Sequence, residues 1–157
     1  MGSGSLTDTA YWDRYWDRIS VPREHRHQPR EFYVNAILDV FDRYLPADPS
    51  MTAAEIGGAP GQYLAYLHRS RGYQITCVDF SRSGCRKTRE NFRLLGIDGS
   101  VIQADITDDV GALPTFDVGY SLGLIEHFAD RTPVVGQHVR PIRPGGYLVL
   151  GVPNSAA

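Results

Sequence analysis

The chain has 157 residues, 42% hydrophobic, 22% charged and 11% aromatic: enough for one apolar core, too short for two full domains, and too apolar for disorder. A formal net charge of -2 without a sustained lysine or arginine run excludes the footprint of a duplex nucleic-acid or anionic-membrane binder, and a small-molecule substrate is expected instead. Two cysteines, Cys77 and Cys85, are too few for a disulfide framework, and neither a signal peptide nor an apolar run of ~18 residues occurs, so the expected location is cytoplasmic.

Residues 1–5, Met-Gly-Ser-Gly-Ser, read as an expression scar, and residues 6–50 as an N-terminal helical segment. Tyr11-Trp12-Asp13-Arg14 recurs at once as Tyr15-Trp16-Asp17-Arg18. At helical spacing this sets Tyr11 over Tyr15 and Trp12 over Trp16, in a helix capped by Thr7 or Asp8 and stopped by Pro22. The aromatics suit either a lid over a ligand or packing against the domain, and Arg14 and Asp17 are spaced for a surface ion pair. Residues 21–29 read as a loop; its His25 and His27 lack matched acids or cysteines, so no metal is expected. A helix over residues 30–44 follows, spaced to bury Phe32, Val34, Ile37, Leu38, Phe41 and Leu45 on one face.

Over residues 51–157 strands alternate with helices, which predicts an α/β domain built on a parallel sheet with helices on both faces. Strands are expected at 52–56, 74–78, 100–104, 116–121 and 147–152. Helices are expected at 62–71, at 82–95 with Gly96 ending it, and at 131–140 with Pro133 in the first turn.

The chemistry concentrates between the first strand and its helix, in Glu55-Ile56-Gly57-Gly58-Ala59-Pro60-Gly61. Glycines there permit backbone angles closed to other residues and let a ligand approach the main chain. About twenty residues on, Asp79 ends the second strand, where a carboxylate can accept both hydroxyls of a ribose. Gly57, Gly58 and Gly61 do not have the spacing of a dinucleotide fold, and Glu55 would repel a pyrophosphate while attracting a cationic ligand. A nicotinamide-dependent oxidoreductase is therefore disfavoured, and the cofactor should carry positive charge.

With these features the sequence resembles the class I S-adenosylmethionine-dependent methyltransferases, especially their small-molecule members. The resemblance spans residues 52–154. It rests on the Glu-x-Gly-x-x-x-Gly turn, Val78-Asp79, Ala104-Asp105-Ile106, Phe116-Asp117-Val118 running into Leu124-Ile125-Glu126-His127-Phe128, and Ile142-Arg143-Pro144-Gly145-Gly146-Tyr147. It implies a Rossmann-like sheet of order 3-2-1-4-5, S-adenosyl-L-methionine as cofactor and S-adenosyl-L-homocysteine as product. Glu55, Gly57, Gly58 and Gly61 would surround the methionine portion, Asp79 the ribose, and Phe80 the adenine. Asp105 and Ile106 would contact the adenine, and Ser121 and Leu122 the methionine side. His127 is the candidate general base, against the plainer reading of a helix-start histidine. Asp105 has a competing role as a turn cap, and Asp117 reads as a structural turn residue.

By the same resemblance the C-terminal antiparallel strands are missing, and the domain is expected to be truncated after its fifth strand. That strand would form an exposed apolar edge, open to a homodimer. The alternative to an enzyme is a non-catalytic S-adenosylmethionine-binding fragment acting through self-association or a partner.

Overall fold

The computed structural model describes residues 6–108 and 110–154; the expected expression scar at 1–5 lies outside them. Five strands form one parallel sheet: β1 (Thr52–Ile56), β2 (Gln74–Asp79), β3 (Ser100–Gln103), β4 (Phe116–Leu122) and β5 (Ile142–Gly151), in the order β3-β2-β1-β4-β5. Among the described residues five α-helices accompany it: α1 (Thr9–Asp17), α2 (Phe32–Tyr44), α3 (Gln62–Arg71), α4 (Arg82–Leu95) and α5 (Thr132–Val139). The strand order reverses at β1, whose neighbours are β2 and β4. A crevice opens outside the carboxyl ends of the strands at that point.

Local chemistry sets the helix ends. The Ser81 hydroxyl accepts from Gly84 N at the start of α4, and Gly96 closes it with φ of 66°. The Asp8 carboxylate accepts from Tyr11 N at 2.7 Å and starts α1, which ends at Asp17, short of Pro22. Arg30, with φ of 73°, cannot be helical, so α2 begins at Phe32. Phe32 is 80% exposed, against the expectation that it packs, because it occupies the first turn, before the face carrying Leu38 and Phe41 meets the sheet.

One face of the sheet is covered by α2, α3 and α4, with Leu38, Phe41, Leu64, Leu67, Tyr73 and Tyr120 fully buried. Truncating any of these aliphatics to alanine should cost about 2–5 kcal/mol. The other face carries a smaller cluster of Ile56, Val78, Ile106, Ile125, Phe128 and Val134, which floors the crevice.

The fifth strand starts earlier than its apolar run implies. Phe116 pairs with Ile142 and Val118 with Tyr147, so a bulge interrupts the register. Gly145 takes φ of 79° within it, and Arg143 folds back to pair with Asp117. Asp117 also accepts from Thr52 N at 2.7 Å, which clasps the start of β1 to β4. No residue of β5 is fully buried, whereas β1 is buried from Ala53 to Ile56.

Candidate cofactor site

At the end of β1, Gly57 turns the chain with φ of 70°, donating its N–H to Val78 O at 2.7 Å, and Gly61 opens α3 with φ of 82°. A side chain at Gly61 would also meet the Phe92 ring, 2.6 Å from the Cβ position. At Gly58 it would strike the Glu55 side chain at the same distance. The turn is thus a close-packed hook whose shape depends on missing side chains.

Two acids end the adjacent strands. Asp79 is 4% exposed; its Oδ1 accepts from Ser81 N at 2.8 Å and its Oδ2 from Ala59 N at 3.3 Å. Burial pushes it up to about 6 against those two donors, and the Asp13 charge adds to the rise. Glu55 is 5% exposed and its Oε2 accepts from the Tyr120 hydroxyl at 3.1 Å. Burial raises it to about 8, opposed by the Tyr120 hydrogen bond and reinforced by the Asp79 charge.

A cavity of about 460 Å³ lies over the crevice, large enough for a nucleoside carrying an amino-acid chain. Ile56 and Gly57 line its β1 side, Val78, Asp79 and Phe80 its β2 side, and Ala104, Asp105 and Ile106 its β3 side. Leu124, His127 and Phe128 close it beyond β4. Of the residues singled out in the sequence, Gly57, Asp79, Phe80, Asp105, Ile106 and His127 therefore share one cavity. Glu55, Gly58, Gly61, Ser121 and Leu122 do not line it. Glu55 lies behind the turn, Gly58 and Gly61 shape it, and Ser121 is fully buried with its hydroxyl unpartnered among the described residues. Asp105 caps its turn, with Oδ1 accepting from Thr107 N at 2.9 Å and Thr107 Oγ1 at 2.8 Å, and it also lines the cavity.

The roof is α1 with the residues before it: Leu6, Thr7, Asp8, Tyr11, Trp12 and Arg14. None of the α1 residues is fully buried. Polar tethers hold the helix instead. Leu6 N donates to His127 O at 2.7 Å, and Asp13 Oδ1 accepts from Ser81 Oγ at 2.6 Å and Ser83 N at 3.0 Å. Asp17 pairs with Arg86 at 2.6 Å, not with Arg14, because α4 is the nearer surface. Trp12 stacks on Trp16 with centroids 6.1 Å apart and sets its edge against His127 at 5.2 Å. The repeated aromatics signalled this helix, but nothing in the sequence signalled Asp13, because its partners lie about seventy residues away.

Among the described residues no cluster of His, Cys, Asp or Glu is placed to hold a metal ion; His27 instead meets Asp39 at 3.0 Å. No described helix is long and apolar enough to cross a membrane.

Sheet order, glycine turn and strand-end acid define a nucleotide-binding α/β domain of the Rossmann-like kind. Residues 54–150 match the methyltransferase domain family, and the chain belongs to that family, with the class I S-adenosylmethionine-dependent architecture. It is 24% identical over 139 residues to 27-O-demethylrifamycin SV methyltransferase of Amycolatopsis mediterranei (strain S699), covering 87% of this chain and 48% of that protein. It is similar in fold to geranyl diphosphate C-methyltransferase from Streptomyces coelicolor A3(2), solved with Mg2+, geranyl diphosphate and S-adenosyl-L-homocysteine. There the TM-score is 0.68 and the identity 17%, over 90% of this chain and 63% of that one. The cyclase SpnF superposes with a TM-score of 0.72 at 15% identity, over 92% of this chain and 59% of that one. The chain spans about half the length of the curated relatives it matches.

Proposed function

We propose that this chain binds S-adenosyl-L-methionine and transfers its methyl group to a small-molecule nucleophile, leaving S-adenosyl-L-homocysteine. The observation that carries the reading is the pair of buried acids near the ends of β1 and β2, on either side of Gly57, neither of them in an ion pair among the described residues. Buried carboxyl groups without a counter-charge fit a ligand that brings hydroxyls to one and positive charge to the other.

In this reading Asp79 accepts the ribose hydroxyls, Phe80 and Ile106 enclose the adenine, and Asp105 faces its edge. Gly57 brings bare main chain to the methionine portion, Glu55 supplies negative potential behind it, and Gly58 and Gly61 keep the hook closed. Ser121 and Leu122 back the methionine side. The cofactor supplies an electrophilic methyl on a sulfonium; the chain's part is alignment and exclusion of water, for which the aromatic roof of α1 is suited. His127, on the cavity wall, is the side chain placed to take a proton from the acceptor.

One observation favours a second reading, a cofactor-binding module acting through a partner or a second copy: among the described residues β5 is an edge strand, with Tyr147 37% and nearby Val152 57% exposed. A homodimer joined there belongs to that reading, and a cytoplasmic location to both. Calorimetric titration with S-adenosylhomocysteine and with NAD tests the site. Saturable binding of the former alone is expected, and binding of NAD alone would overturn the assignment. Turnover of a labelled methyl donor then separates enzyme from module.

A further inference from the structure

The two buried acids have opposite surroundings. Asp79 accepts two backbone N–H bonds, which favour the ionised form. Glu55 has a neutral phenol donor in Tyr120, and no ion pair among the described residues. The ionisable groups whose charges bear on it are Tyr120 from β4, Asp79 and Cys77 from β2, and Tyr63 from α3, with Asp13 of α1 beyond Asp79. None of these groups is a cation. The Glu55 side chain lies in the space that a Cβ at Gly58 would need, and such a Cβ would lie 2.6 Å from Glu55 Cγ. The carboxyl is thus shielded from water, with the Tyr120 hydroxyl as its hydrogen-bond donor.

We propose that Glu55 is a carboxylic acid in the free protein and becomes a carboxylate when the ammonium of an adenosyl amino acid enters the turn, so that binding expels one proton to solvent. The inference rests on the cofactor reading above. The step balances simply: the Glu55 O–H bond breaks, its electron pair stays on the carboxylate, the proton goes to buffer, and Tyr120 continues to donate. Glu55 need not touch the ligand. It precedes Ile56 and Gly57, which line the cavity, and a buried charge acts at short range through the turn's backbone.

The site thereby exchanges one positive charge for another and never holds two uncompensated carboxylates. A neutral nucleoside that fills the same cavity leaves the proton where it is. The chain would distinguish an amino-acid nucleoside from its truncated relatives by pH as well as by contacts.

The experiment is calorimetry at pH 7 in phosphate and in Tris, whose ionisation enthalpies differ, with S-adenosylhomocysteine and with 5'-methylthioadenosine, which lacks the amino-acid chain. Close to one proton released per S-adenosylhomocysteine is expected, and none with methylthioadenosine. Affinity for the former should rise about tenfold per pH unit below pH 8. Glu55→Gln, isosteric with the acid form, should fold, bind S-adenosylhomocysteine more weakly and release no proton. Binding of S-adenosylhomocysteine without proton release overturns this inference alone, as does proton release that persists in Glu55→Gln. Failure of the chain to bind either nucleoside overturns the cofactor reading itself. Carbon-13 NMR of glutamate-labelled free protein reads Glu55 directly: a midpoint in the ordinary carboxylate range overturns the inference whatever the calorimetry gives.

Discussion

Asp13 accepts a 2.6 Å hydrogen bond from the hydroxyl of Ser81, the residue that caps α4 and stands two positions after Asp79. The bond ties the roof of the cavity to its ribose end, and it holds Asp13 below the usual carboxylate range. Since no residue of α1 is fully buried, such tethers and the aromatic contacts are what keep the helix down. Asp13→Ala should loosen α1 and weaken S-adenosylhomocysteine binding about tenfold, equivalent to about 1–2 kcal/mol, with little change in melting temperature. Tryptophan emission checks it: Trp12 and Trp16 should move toward the free-solvent spectrum in the variant and recover on saturation with ligand. An unchanged affinity would mean that α1 is surface packing.

Asp79→Asn tests the ribose role. The substitution keeps the size of the side chain and removes the charge, so the fold should persist while affinity for S-adenosylhomocysteine falls roughly 10- to 100-fold. Adenine or a 2',3'-dideoxy nucleoside should bind both forms alike. Equal loss for those ligands would place Asp79 in the scaffold.

The parts of the fold that were legible in the sequence are those governed by local chemistry. The glycine at the end of α4, Pro133 in the first turn of α5, and the alternation from Met51 onward depend on neighbours a few residues apart. The lining of the candidate cavity was legible in part, with Phe80, Asp105 and Ile106 supplied by the family resemblance. Gly57, Asp79, Phe80, Asp105, Ile106 and His127 follow strand ends, and strand ends of a parallel sheet converge on one crevice. The sequence did not distinguish residues facing that crevice from those behind it. Glu55 and Tyr120 sit opposite each other in the β1–β4 register and pair behind the turn, a relation that only strand pairing creates. The early start of β5 was hidden for a similar reason, since Arg143-Pro144-Gly145-Gly146 reads as a loop until Asp117 draws Arg143 back.

Gly61→Ala should destabilise the chain without touching the ligand. The residue needs φ of 82°, and its Cβ would lie 2.6 Å from the buried Phe92 ring, so strain and a steric clash combine to a cost of about 2–4 kcal/mol. Thermal unfolding should show a drop of about 5–15 °C. The double variant Gly61→Ala with Phe92→Leu should recover part of it, and no recovery would leave backbone strain as the whole cause.

His127→Ala should lower the methyl-transfer rate about 10²- to 10⁴-fold if the histidine takes the acceptor's proton, with nearly unchanged affinity for S-adenosylhomocysteine. Its edge contact with Trp12 is a separate contribution, worth about 0.5–1.5 kcal/mol, and it sets the small loss of stability to expect. The pH profile decides between the two. A base gives a rate that climbs with the histidine's deprotonation, and this limb should vanish in the variant. A uniform drop at all pH values would assign His127 to holding the roof.

The pH dependence of stability follows from the sign of the buried groups' shifts. Glu55 and Asp79 have folded values of about 8 and about 6, above their ordinary 4.5 and 3.8, so the folded chain keeps protons that the unfolded chain has released. The stability this provides is complete below about pH 4 and is lost as pH rises, the Asp79 share by about pH 6 and the Glu55 share by about pH 8. Half-buried His25 and buried His138, both held below 6.5, act the other way, but above that value they are neutral in both states. Nearer pH 9 the Cys77 and Cys85 thiols, raised by burial, add a loss of the same sign, so the window from about pH 7 to 8 belongs to Glu55. In it the melting temperature of the ligand-free protein should fall, and Glu55→Gln should flatten the slope. A wild-type melting temperature that is level across that window, measured by calorimetry without ligand, would show that Glu55 is already ionised in the folded chain.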